Sequence, residues 1–259
     1  MQTQKVIDYI VNWMRQYAAD AGMKGFAVGV SGGIDSAVTS TLCGKTGLLV
    51  MALNMPIRQA ADQKTLAERH LGWLHEHFEN VTGNTVDLTP VLEAFEQIFQ
   101  EDIQDHLTMA NTRARIRMSA LYAYASHHRL LVAGTGNKVE DFGVGFFTKY
   151  GDGGVDIGPI ADLMKTEVYE LARGLGVMAE ILKAPPTDGL WQDNRSDADQ
   201  IGASYEELEW AMGFEQSGGD ESGLGQRQKQ VLAIYRDFHR KNRHKMDPIP
   251  VPVIPEKYK

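Results

Sequence analysis

One cysteine, Cys43, is the whole of this chain's thiol chemistry. That excludes an intramolecular disulfide and any multi-cysteine zinc site. Basic residues are in short supply as well: 26 Lys and Arg face 34 Asp and Glu, a net charge of -8. A general nucleic-acid binder needs a basic surface, so that class is set aside, and any grip on phosphate must come from local clusters. No apolar run is long enough for a membrane span. The opening stretch MQTQKVIDYIVNWMRQYAAD breaks its apolar positions with charges and has no signal-peptide core. These absences predict a cytoplasmic protein. No internal repeat or low-complexity linker is present. At 259 residues, 43% of them hydrophobic, the chain can bury a core without staples. The reading is one domain, 1–259, with a helical C-terminal extension from about residue 204.

The rest of the chain is organised around residues 26–36, FAVGVSGGIDS. An apolar run that stops abruptly at Ser31-Gly32-Gly33 predicts a short buried strand entering a glycine turn. Asp35 and Ser36 then open a helix-favouring run. Strand, glycine loop and helix N-terminus make an anion site, because backbone N–H groups and the helix dipole converge on one spot. No Lys-Ser/Thr follows the glycines, so this is not the Walker loop.

Strands are predicted at 26–30, 48–55, 80–88 and 130–136. Helices are predicted at 3–20, 36–45, 63–78, 89–99 with Pro90 in its first turn, and 110–127. In the first helix the apolar stripe is Val6, Ile10, Trp13 or Met14, and Tyr17. Alternating strands and helices imply parallel crossovers, hence an α/β, doubly wound, mostly parallel sheet with helices on both faces. Ligands in such sheets sit beyond the carboxyl ends of the strands. SGGIDS and GTGNKVE both begin there. After residue 140 the pattern loses its period, and DFGVGFFTKYGDGGVDIGP reads as a functional loop or lid with a short strand near 155–159. Helices return at 165–175, 205–214 and 226–243. Between them, 183–196 is a loop and 217–223 has a mobile composition.

Several side chains could carry chemistry. Asp35 beside a phosphate loop would repel its ligand unless Mg²⁺ bridged the two, and Mg²⁺ uses one or two carboxylates plus phosphate oxygens. A helix cap is the plainer role for Asp35. Glu140 could complete that metal site, although 105 residues separate the two and a surface position is the simpler reading. Thr135 could donate to a phosphate or ribose. Arg113, Arg115 and Arg117 suit phosphate or carboxylate recognition, or else a solvated helix face. Phe146, Phe147 and Tyr150 offer faces for stacking a ring, or an aromatic hinge. Lys149, Asp152 and Asp156 share their loop. Lys165 opens a helix, where a cation is unfavourable without an anionic partner. The run Arg236, His239, Arg240, Lys241, Arg243, His244, Lys245 reads either as a solvated helix end or as a basic clamp over an anion.

The loop SGGIDS resembles the pyrophosphate loop of the ATP pyrophosphatases. Together and in order, SGGIDS, NTRARIRM, GTGNKVE, FFTKYGDGGVD, LMKTEVYELA, KAPPTDGL and RHK resemble NAD⁺ synthetase, over roughly 3–246. That resemblance implies amidation of deamido-NAD⁺ by ammonia through an acyl-adenylate, with ATP as co-substrate and AMP and pyrophosphate as products. It implies that Gly29, Val30, Ser31, Gly32, Gly33, Ile34, Asp35 and Ser36 hold the phosphates of ATP. Asp35 and Glu140 would bind Mg²⁺. Thr135, Lys165 and Thr187 would contact ATP, with Asp35, Lys165 and Glu140 as the catalytic set. Arg115, Lys149, Asp156, His244 and Lys245 would contact deamido-NAD⁺. A homodimer without nucleic-acid or membrane partners is implied too, and the length leaves no room for an added glutaminase domain. Two other readings share the loop. Another ATP pyrophosphatase, such as a GMP, asparagine or tRNA-modifying ligase, is one. A non-catalytic adenine-nucleotide sensor is the other; it would bind ATP and release no pyrophosphate.

Overall fold

The computed structural model describes residues 1–59, 61–184 and 197–259. Four parallel strands form the sheet: β1 (Gly25–Gly29), β2 (Leu49–Asn54), β3 (Val81–Thr85) and β4 (Leu131–Ala133), ordered β3-β2-β1-β4. The central strand β1 pairs Phe26 with Val50 on one side and Leu131 on the other. Alternation then sorts the side chains. Phe26, Val28, Val50, Ala52, Leu131 and Ala133 enter one core, and Ala27, Met51 and Val132 enter another.

The first core is covered by α1 (Thr3–Asp20), α2 (Ile34–Lys45), α3 (Ala61–His77), α6 (Lys165–Gly174) and α7 (Ala179–Lys183). The opposite face carries α4 (Thr89–Ile98) and the long α5 (His106–His128). Pro90 does lie in the first turn of α4. In α1 the buried stripe is Ile7, Ile10, Val11, Met14 and Ala18. Ile10 and Met14 take the predicted core positions and Val6 packs at the edge of the core, while Trp13 and Tyr17 are exposed, their rings tilted with centroids 5.6 Å apart. Helix α2 is buried on all sides from Ser36 to Gly44, the arrangement of a helix enclosed by neighbours rather than laid on a surface.

Three predicted elements shrink. The strands at 80–88 and 130–136 are the shorter β3 and β4. The strand near 155–159 is a single parallel bridge, Ile157 to Ala133, confined between Gly153-Gly154 and Gly158-Pro159. Val139–Val144, read as loop, is a π-helical turn. Beyond α8 (Asp197–Ile201), α9 (Tyr205–Ser217) and α10 (Gln226–Met246) build a third core with Val139 and Val144, around Leu208, Leu232 and Tyr235. The segment with mobile composition is a capped turn. Gly218 closes α9 in the left-handed region, and Arg236 pairs with Glu215 and Glu221 at 2.6 and 2.7 Å.

Candidate active site

Strand β1 ends at Gly29, and the backbone of Val30 still donates to Leu53 at 2.8 Å. The chain then turns through Gly32, whose φ of +87° is a conformation that favours glycine. The two serines of the loop hold its shape. Ser31 N donates to Ser36 Oγ at 3.2 Å, Ser36 Oγ donates to Gly33 O at 2.9 Å, and Gly33 N donates to Ser31 Oγ at 3.2 Å. Helix α2 begins at Ile34 and its N-cap, Gly33, makes no side-chain cap. Asp35 is therefore not the cap that its position suggests. Its carboxylate faces away from the helix end, toward α6.

There it meets Lys165 and Glu140. Lys165 Nζ lies 2.5 Å from Asp35 Oδ2 and 3.0 Å from Glu140 Oε1. The lysine side chain is 4% exposed and each carboxylate side chain 17%. Burial raises the Asp35 carboxyl above its ordinary value, and the neighbouring Glu140 adds to that against the pull of Lys165. Burial pushes Glu140 up too, but the Lys165 charge and the Tyr205 hydroxyl outweigh it and hold this carboxyl below its ordinary value. Lys165 is disfavoured by burial, yet the two carboxylates push it above the usual lysine range. Counted formally, one ammonium and two carboxylates leave a net negative charge beside the glycine turn. Asp141 does not add to it: burial, with Glu140, Asp152 and Asp35, pushes its carboxyl up to about 8, which favours the neutral acid. Carboxylate oxygens are the donors that Mg²⁺ takes. Among the described residues no group of three or more His, Cys, Asp or Glu could hold a metal, so any Mg²⁺ here would rest on two carboxylates and substrate oxygens.

Two residues that the sequence reading did not single out complete this arrangement. Asn137, fully buried, donates from Nδ2 to Asp35 Oδ1 at 3.2 Å. Its Oδ1 accepts from the backbone N–H of Val139 and Glu140, both at 3.1 Å, which sets the entry to the π-turn. Tyr205, the first residue of α9, donates its hydroxyl to Glu140 Oε1 at 2.5 Å and lays its ring 4.6 Å from Lys165 Nζ. The start of α6 is held as well. Thr166 donates through N and Oγ1 to the Glu209 carboxylate at 2.9 and 2.7 Å. The anionic partners that Lys165 needs at a helix start are thus protein carboxylates. Asparagine in a turn and tyrosine at a helix start are too common to stand out, so only the contacts disclose them.

A second group gathers at residues 143–149. Lys245 donates to Gly145 O at 2.5 Å and Phe147 O at 2.7 Å. Lys149 donates to the backbone oxygen of His244. Arg115 Nε donates to Lys149 O at 3.4 Å. Asn242 and His239 reach the carbonyls of Val144 and Gly143 at 2.8 and 2.7 Å. Arg115, Lys149, His244 and Lys245 are therefore brought together. The remainder of the basic run is neutralised locally: Arg240 and Lys241 pair with Asp237, and Arg243 with Asp247. Of the aromatic trio, Phe146 packs on the C-terminal core, Phe147 lies under Lys245 and Tyr150 is exposed. Arg117 is partly buried, donating to Met55 O at 2.9 Å.

Asp156 stands apart from both groups. It accepts from Tyr122 OH at 2.9 Å and from Val132 N at 2.8 Å, and lines a cavity of about 340 Å³ with Gly22, Arg129 and Leu130 on the α5 side. Thr135 sits half-buried in the turn after β4. Thr187 lies outside the described residues. No helix among the described residues is long and apolar enough to cross a membrane.

Comparison with known proteins gives a consistent result. The sequence model of the family described as NAD synthase matches residues 6–249. The NH(3)-dependent NAD(+) synthetase of Methanosarcina acetivorans is 36% identical over 269 residues, covering 98% of this chain and all of that protein. A solved structure of the NMN synthetase from Francisella tularensis matches with a TM-score of 0.84 and 32% identity, over 98% of this chain and 100% of the other. The NH3-dependent NAD synthetase of Campylobacter jejuni, solved with a nitrate ion, matches with a TM-score of 0.78 and 27% identity, over 99% and 100%.

Proposed function

This chain belongs to the NAD synthase family, and from that premise we propose a division of labour among its residues. The reaction is a C–N ligation in which ammonia amidates deamido-NAD⁺ through an acyl-adenylate at the expense of ATP. A carboxylate oxygen is a poor leaving group; adenylation turns it into AMP, and the protein then needs mainly positioning and charge neutralisation. The loop from Gly29 to Ser36, with Thr135 and Thr187, holds ATP. The single observation that carries this reading is the junction of Asp35, Lys165 and Glu140 beside that loop, at the carboxyl ends of β1 and β4.

Asp35 and Glu140 are the residues that would hold Mg²⁺, and the negative balance of their cluster fits that ion. When bound, Mg²⁺ would offset the charge of the phosphates. Lys165 keeps the carboxylates together and supplies an ammonium to the same spot. Asn137 fixes Asp35 from behind. Arg115, Lys149, His244 and Lys245 receive deamido-NAD⁺ at the 143–149 segment. Asp156 serves it from the α5 side, which fits a homodimer in which the dinucleotide lies near the subunit interface. The whole chain acts as one domain in this reading. Sedimentation in solution tests the dimer: a monomer at working concentration contradicts it.

One observation favours a second reading of the acceptor. The likeness to an NMN synthetase, at a TM-score of 0.84, points to the mononucleotide that lacks the adenylyl half. Turnover with ATP and ammonium, compared for deamido-NAD⁺ and nicotinate mononucleotide, separates the two. Higher kcat/KM with deamido-NAD⁺ supports the first reading; higher kcat/KM with the mononucleotide replaces it.

A further inference from the structure

We propose that Tyr205, on the C-terminal extension, is a positioning residue for the metal ligand Glu140. The inference rests on the assignment of Mg²⁺ to Asp35 and Glu140. Glu140 lies in the π-helical turn Val139–Val144. Such a turn is rare and short-lived in isolation, so its side chains take their direction from outside supports. Lys165 Nζ, 3.0 Å from Glu140 Oε1, is one such support, and two more are present. Asn137 fixes the backbone N–H of Glu140 at 3.1 Å. Tyr205 fixes the carboxylate, through a hydroxyl 2.5 Å from Oε1. The second oxygen is thereby given a fixed direction.

Tyr205 is itself held firmly. Ser204 and Glu207 cap the start of α9 reciprocally, and Arg227 of α10 clasps Glu207 at 2.5 and 2.6 Å. One turn on, Glu209 of the same helix caps Thr166, the residue after Lys165. Helix α9 therefore reaches both sides of the charged junction, Glu140 through Tyr205 and Thr166, the neighbour of Lys165, through Glu209. A hydrogen-bond partner that orients a metal ligand typically affects metal affinity by ~10- to 100-fold when removed.

The test is Tyr205→Phe, which keeps the ring against Lys165 and removes only the hydroxyl. Free Mn²⁺ is followed by electron paramagnetic resonance in the presence of α,β-methylene-ATP, for wild type, Tyr205→Phe and Glu140→Gln. Tyr205→Phe is expected to bind Mn²⁺ ~10- to 100-fold more weakly. Its apparent activation constant for Mg²⁺ should rise in step, while KM for deamido-NAD⁺ stays unchanged. Should the variant melt early, the titration is run below its transition. Unchanged Mn²⁺ affinity in Tyr205→Phe, with affinity lost in Glu140→Gln, overturns the role of Tyr205 and leaves the metal site standing. Unchanged affinity in Glu140→Gln overturns the metal assignment and the proposal with it.

Discussion

Lys165 sits at the first position of α6, where the helix dipole disfavours a cation, and it is almost entirely buried. Two carboxylates reverse both penalties. Removing one partner from a buried pair leaves the others uncompensated, typically at a cost of about 3–5 kcal/mol. Lys165→Met should therefore lower the urea midpoint markedly as well as abolish turnover; an unchanged midpoint would show that the pair is not buried as described. Asp35→Asn and Glu140→Gln keep shape and lose charge. Each should lower kcat by ~10²-fold or more, the scale of removing a group that stabilises transition-state charge. Since Asp35 caps nothing, Asp35→Asn leaves the α2 terminus as it is. Cys43 is the contrasting residue. It is fully buried in α2, and burial pushes its thiol far above the ordinary range, so it has no route to a nucleophilic thiolate. Cys43→Ser should retain ammonia-dependent activity, and glutamine alone should support none in either protein. Glutamine-driven amidation that survives removal of contaminating ammonia, and that Cys43→Ser abolishes, would contradict this.

At the scale of elements, the joint between α10 and the 143–149 segment is where the proposed dinucleotide contacts are tested. Gly145 sits at a φ of +63°, and a Cβ there would meet Asn242 Cβ at 2.5 Å. Gly145→Ala therefore strains the backbone and pushes α10 away, detaching Lys245 from its carbonyls. The expected result is a higher KM for deamido-NAD⁺ with KM for ATP little changed; equal effects on both would place the joint outside dinucleotide binding. The elements also differ in how well the sequence discloses them. β1, its glycine turn and α2 are legible because an apolar run, a glycine pair and helix-forming residues agree locally. The junction of Asp35 with Glu140 is visible only as an implied pairing, since nothing within 105 residues of chain fixes their distance. The π-turn is not legible at all. It is held by Asn137 just before it and by Tyr205, His239 and Asn242, which arrive from other elements. In α1 the sequence leaves Trp13 and Met14 as alternatives, and register gives the core place to Met14 and exposes Tyr17.

Across the whole molecule, α2 and α3 meet through a buried polar contact, Ser40 Oγ to His70 Nε2 at 3.0 Å. Burial pushes the His70 imidazole down from 6.5 to about 4. A folded-state pKa below the unfolded one means that the unfolded chain binds more protons in that window. Stability is thus fully present above about pH 6.5 and is lost as pH falls toward about 4. His70→Gln should flatten the fall in Tm between neutral and mildly acidic pH relative to wild type; identical slopes would remove His70 as a cause. The glycine turn proposed to hold ATP leads into α2, so this contact also supports the helix that carries Asp35. The junction beside this loop is proposed to serve an ATP-splitting amidation. The most direct measurement is the product balance with ATP, deamido-NAD⁺ and ammonium, for wild type and Asp35→Asn. The account predicts AMP, pyrophosphate and NAD⁺ in equal amounts from wild type and a severe common loss of all three in the variant. ADP with orthophosphate, or full activity in Asp35→Asn, would contradict it.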